Sequence, residues 1–118
     1  MKNTMKSIIG ASVIAAMMSA LPAAAQTSHG AAHDTPAAKA NMEAHQKMMD
    51  TMNGMKPTGD ADKDFVMMMI PHHQGAIDMA EVELKYGRDP ELKKMAEKII
   101  ADQKKEIGEM KKWQSANK

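Results

Sequence analysis

Cysteine is absent from the 118-residue chain, which removes disulfides, thiolate metal sites, iron–sulfur clusters and cysteine nucleophiles. Aromatic residues are scarce: Phe65, Tyr86 and Trp113 are all there is. Neither sign of charge dominates, with 16 Lys and Arg against 15 Asp and Glu, so the basic face that nucleic acid demands has no source. The length leaves room for one small domain and excludes a multidomain enzyme. Against these shortages stands one excess. There are 15 methionines, several-fold more than ordinary usage, and they need a physical explanation.

The first 25 residues read as an export signal. Lys2 and Lys6 make the start positive, Ile8–Leu21 carries no charge, and Pro22-Ala23-Ala24-Ala25 supplies a small-residue cleavage site. The apolar run is shorter than the roughly 20 residues that span a bilayer. Cleavage after Ala25 would leave Gln26–Lys118 in the periplasm, with no further membrane-spanning candidate. It removes Lys2 and Lys6 and no acid, so 14 basic residues face 15 acidic ones and the mature charge is −1. Eleven methionines remain, and the enrichment therefore belongs to the exported domain. A core of this size is marginal by itself, and a metal, ligand or partner chain would add to its stability.

Residues 26–35 are small, polar and without periodicity, as in a disordered tail. Residues 36–118 read as three helices and no strand. The first has Thr35 as N-cap and Pro36 at its first position. It ends at Asn53-Gly54, where glycine can adopt the left-handed conformation. Met42, His45, Met49 and Met52 share one of its faces, with Met48 beside them. A loop over Met55–Gly59 leads to a second helix that begins among Asp60, Asp62 and Asp64, which suit the positive helix terminus. It stops at Gly87, with a kink or break expected at Pro71. Gln74, Asp78, Glu81 and Lys85 form its polar face. Phe65, Met68, Met69, His72, His73, Ala76, Ile77, Met79 and Ala80 form the broad opposite face, which points both histidines inward. The third helix has Asp89 as N-cap and Pro90 at its first position. Its inner stripe runs Leu92, Met95, Ile99, Gln103, Ile107, Met110 and Trp113, with Gln103 and Glu106 polar within or beside it. Short connections favour antiparallel neighbours, hence an all-α up-down-up bundle.

Chemistry concentrates in Met67-Met-Met-Ile-Pro-His-His-Gln-Gly-Ala-Ile-Asp-Met79. Thioether sulfur is a soft ligand and imidazole a common nitrogen ligand. Met69 lies three residues before His72 and four before His73, while Met68 lies four before His72. Such side chains can meet at one ion. Met79 stands two turns beyond on the same face. Methionine with histidine selects copper(I), or silver(I) as its mimic, over zinc, calcium and magnesium. Outside the cytoplasm, where thiols oxidise, a thioether–imidazole site is chemically apt. Met42-x-x-His45 repeats the spacing, and Met48, Met49, Met52 and Met55 extend a second cluster. The plainer reading is that methionines fill an irregular core and that His45 is a solvated surface residue. His29 and His33 in the tail are either copper(II) donors or simply solvated.

The blocks Phe65–Ala80, with its Met-Ile-Pro-His-His core, and Ile99–Trp113, with Gln103, Glu106-Ile107, Met110 and Trp113, resemble a family of exported bacterial proteins of unknown function. That family is typified by the periplasmic copper-binding protein CopM. The resemblance covers roughly half of the mature chain. It implies a ferritin-like bundle that binds copper, and silver, in metal tolerance. By matched position it makes Met69, His72, His73, Met79 and Met110 candidate ligands, with Gln103 and Glu106 as supporting or weak ones. Members often carry more helix than this chain, so three helices imply either a minimal bundle or a homodimer.

Three functions compete. The first is a non-enzymatic copper(I)/silver(I) protein that buffers metal or hands it to a copper efflux or chaperone protein. The second is a metal-independent module whose Met-rich surface grips partner helices. The third is a ferritin-like oxidase. Di-iron bundles need Glu-x-x-His, and here Met69 and Met42 occupy the positions three before His72 and His45, which disfavours hard iron.

Overall fold

The computed structural model describes residues 32–118. The expected leader and residues 26–31 of the expected tail lie outside that range. Three helices make up the described chain, α1 (Pro36–Asn53), α2 (Ala61–Tyr86) and α3 (Pro90–Ala116), and no strand occurs among the described residues. Ala32 and His33 are helical rather than tail-like, and the chain bends at Asp34 and Thr35 before α1 begins.

Each helix start follows from the side chain that precedes it. Thr35 Oγ1 accepts from the Ala38 N–H at 3.1 Å. Asp60 accepts from the N–H groups of Asp62 and Lys63 at 3.0 and 3.1 Å, and Asp89 from those of Glu91 and Leu92 at 2.8 and 3.0 Å. Pro36 and Pro90 occupy first-turn positions, where a missing N–H costs nothing. Asp64, in the first turn of α2, also closes the preceding loop. Its carboxylate accepts from Thr58 N and Oγ1, both at 2.7 Å, and from Gly59 N at 3.1 Å. These bonds, the Thr58 hydroxyl first, hold the Asp64 carboxyl below its ordinary value.

One local expectation needs correction, and the kink or break expected at Pro71 is narrowed to exclude a break. Gly54 is not left-handed: with φ −76° and ψ −10° it continues the helical trend, and Met55 N–H bonds Met52 C=O to tighten the last turn. The left-handed glycine is Gly59, at φ +87°, inside the loop. Pro71 does not break α2, which runs uninterrupted from Ala61 to Tyr86. The proline leaves the Met67 carbonyl without its usual intrahelical donor.

Helix α2 is the central element. Lys47 of α1 meets Asp78 at 3.0 Å, and Met48 lies over Gly75. Further along, Met55 lies beside Ile70 and Pro71. On α3, Glu106 meets His73, Met110 lies beside Val66, and Met95 and Ala96 lie beside Met79 and Ala80. In both series the residue numbers run in opposite directions, so both neighbours are antiparallel to α2. Helices α1 and α3 have no Cα pair within 8 Å of each other.

Because α2 is gripped from two sides, its buried positions wrap around the helix: Val66, Pro71, His73, Gly75, Ile77 and Ala80. Ile77 is 2 % exposed, and burying such a side chain contributes about 1.5–3 kcal/mol. Ala44, Ala80 and Ala96 complete the contacts together with Val66 and Ile107. Small residues let the backbones approach, at the expense of apolar area, and the core is correspondingly thin. Among the described residues no helix is long and apolar enough to cross a membrane.

The third side of α2 is open. Phe65 is 60 %, Met68 36 % and Met79 46 % exposed, and His72 is exposed with them. The broad inward face read from periodicity therefore divides. Its His73 side packs on α3 and its His72 side meets solvent. The inner stripe of α1 is rotated from expectation: Met42 and His45 are exposed while Ala44 is buried and Met48 half-buried. In α3 the expected stripe holds from Ile99 to Trp113, with Ile107 buried, and only its first members, Leu92 and Met95, are exposed.

Candidate metal centre

His73 is the one buried polar residue among those described, 7 % exposed. Helix α2 presents it to α3 on the same face as Val66, Met69, Ile77 and Ala80. Its Nε2 lies 2.6 Å from Oε2 of Glu106, a hydrogen bond across the α2–α3 seam. Its other ring nitrogen, Nδ1, is buried and has no hydrogen-bond partner. A buried polar atom without a partner costs about 1–3 kcal/mol. If Nε2–H donates to the Glu106 carboxylate, Nδ1 carries a free lone pair. A histidine that donates one ring N–H to a carboxylate while its other nitrogen stays bare is arranged as a metal ligand usually is.

The surroundings of this ring are soft. Met69, His73, Glu106 and Met110 line one open cleft of about 320 Å³, together with Phe65 and Glu109. Met69 comes to it from four residues before His73, and Met110 from four after Glu106, so each methionine stands one helical turn from a member of the hydrogen-bonded pair. Both methionines are half-buried. One imidazole and two thioether side chains, with the Glu106 and Glu109 carboxylates beside them, line the same cleft, and imidazole with thioether is the donor chemistry that suits copper(I) or silver(I).

The other residues singled out in the sequence fall elsewhere. His72 is exposed, its ring centroid 6.2 Å from that of His73 and the two planes inclined at 62°. Met68 stands with it on the solvent side of α2. Met79 lines a separate groove with Leu92, Met95 and Ile99. Gln103 is half-buried on α3. Met42 and His45 are exposed on α1, and Met49 and Met52 are half-buried there. The structure does not bring these four to the His73 cleft, because α1 packs on α2 through Ala44 and Met48 instead. Met48 is committed to packing by its contact with Gly75. Phe65 and Glu109 were not foreseen as part of the cleft. Helical spacing was the available signal, since Phe65 lies eight residues before His73 and Glu109 three after Glu106.

No three His, Asp or Glu side chains converge among the described residues. The only carboxylate–imidazole pairing at the centre is Glu106 with His73, which is too few hard donors for a di-iron site.

A family model described as a domain of unknown function, DUF305, matches residues 8–114. The chain belongs to the DUF305 family. That match takes in α1, α2 and α3 as far as Gln114, and with them every residue of the cleft. The DUF305 chain is also similar to "Uncharacterized protein L153" of Acanthamoeba polyphaga mimivirus, at 43 % identity over 49 residues. The aligned stretch is 42 % of this chain and 32 % of the viral protein, so this DUF305 chain spans about a third of that relative.

Proposed function

We propose that this DUF305 protein is an exported, non-enzymatic binder of copper(I), with silver(I) as its mimic, that buffers or transfers the ion in the periplasm and contributes to copper tolerance. The observation that carries the reading is the His73 ring: Nε2 held by Glu106, Nδ1 buried without a partner, and two thioethers on the same cleft. Donor chemistry gives the selectivity, since the two thioethers favour soft monovalent ions, and the Glu106 carboxylate beside them is engaged with His73. The leader-like first 25 residues and the missing cysteine suit an oxidising compartment. The resemblance to the family typified by CopM, with its ferritin-like bundle, points the same way. Such a protein requires a donor or acceptor of copper, an efflux or chaperone protein, and the exposed apolar side of α2 suits a homodimer.

The test is thermal. An ion that binds the folded chain and not the unfolded one stabilises by about 2.7 kcal/mol at a hundredfold excess over Kd. For a domain of this size that is a rise in Tm of roughly 10–20 °C. The rise is expected with copper(I) and silver(I) and not with zinc. An unchanged Tm with both soft ions refutes the proposal and favours the metal-independent module, whose motivation is the exposure of Phe65, Met79, Leu92 and Met95.

A further inference from the structure

We propose that the two adjacent histidines serve different stations: exposed His72 and Met68 capture the soft ion, and the open cleft at buried His73 retains it. This rests on the copper(I)/silver(I) reading of the cleft and assigns the path by which the cleft is filled.

Three observations support the division. First, the rings differ in environment although they are neighbours in sequence. His72 is exposed, whereas His73 is buried, tied to Glu106, and has a buried Nδ1 without a partner. The His72 ring is therefore the more accessible of the two to an ion in solvent. Second, His72 has its own sulfur. Met68, four residues earlier on the same helix face, is also exposed, so the two can chelate together on the outside. Third, Met69 connects the stations. It is three residues before His72 and four before His73, hence a neighbour of both, and it is half-buried at the edge of the cleft.

A soft closed-shell ion changes ligands associatively, gaining a donor before losing one. With the ring centroids 6.2 Å apart, the ion moves from Met68 and His72 to Met69, and then to His73 and Met110, without returning to water. No bond of the protein is made or broken beyond the coordinate bonds, and the ion keeps its charge throughout. The exposed position of the first station also places the ion where a donor protein can reach it.

The experiment follows copper(I) transfer from a chromogenic chelator to the protein by stopped flow, with equilibrium competition on the same samples. His72→Ala and Met68→Leu change exposed side chains and retain the wild-type far-UV circular dichroism. His72→Ala is expected to slow loading about tenfold while holding the affinity within about threefold, because both on- and off-rates fall together. His73→Ala is expected to lose affinity by about a hundredfold or more. If His72→Ala and His73→Ala weaken the equilibrium affinity equally, both rings hold one ion and the two-station account is overturned. If His72→Ala changes neither rate nor affinity, the capture role is overturned while the cleft stands. Failure of the wild type to take copper(I) from the chelator overturns the cleft reading itself.

Discussion

Replacing Gly75 by alanine tests the α1–α2 contact that fixes how α2 is oriented. A Cβ built on Gly75 would lie 2.5 Å from Sδ of Met48, 3.0 Å from its Cγ and 3.1 Å from its Cβ. The sulfur is the end of a flexible chain and can swing away, but the Met48 Cβ is fixed to the α1 backbone, so the helices must separate slightly. Overpacking of this kind costs about 1–3 kcal/mol. Alanine is also a better helix former than glycine by about 1 kcal/mol, which offsets part of that loss. Gly108, in the middle of α3, supplies the control: a Cβ there meets nothing within 4 Å. Gly108→Ala should gain the propensity term alone. The propensity terms cancel between the two variants, and their difference isolates the clash at about 1–3 kcal/mol. At the sensitivity of a domain this size, Gly75→Ala should melt roughly 5–20 °C below Gly108→Ala, measured by far-UV circular dichroism. Equal stability of the two variants would refute the close approach of α1 to α2. A second check is the double variant, since Met48→Ala should cost less beside Gly75→Ala than in the wild type.

The remaining predictions concern single interactions. Glu106→Gln should weaken copper(I) binding about 10–100-fold in a chelator competition, through loss of the carboxylate that orients His73. Asp64 has a folded-state pKa below its unfolded value, so its contribution to stability is full above the unfolded value and is lost as pH falls through the folded one. Asp64→Asn should accordingly bring the urea midpoints at about pH 7 and about pH 3 closer together than in the wild type. The Lys47–Asp78 pair, whose lysine is largely solvated, should contribute no more than about 1 kcal/mol, and Lys47→Ala should lose that effect in high salt.

Boundaries were legible in the sequence because they are written in local chemistry. Thr35, Asp60 and Asp89 cap the three helices through their own side chains, a signal that tertiary packing does not alter. That Glu106 lies beside an inner stripe, where a carboxylate needs a partner, was likewise legible, but that His73 is the partner was not. Nor could the rotation of the α1 face or the division of the α2 face be read. Periodicity places His72 and His73 on one broad apolar arc, and only the placement of α1 and α3 on two sides of α2 divides that arc into a buried and an open part. The residues that make the close contacts are Gly75, Ala44, Ala80 and Ala96, which carry almost no hydropathy signal. The methionines dominate the pattern yet fall both inside and outside: Met48 covers Gly75, whereas Met42 is 60 % exposed. An unbranched, polarizable side chain tolerates either environment, so its position in a helical stripe does not fix its burial.

X-ray absorption at the copper edge of the copper(I)-loaded protein tests the central claim most directly. The account predicts an inner coordination shell of imidazole nitrogen and thioether sulfur whose nitrogen contribution falls in His73→Ala and whose sulfur contribution falls in Met69→Leu/Met110→Leu. A wild-type shell of oxygen and nitrogen alone, unchanged by those substitutions, would contradict it.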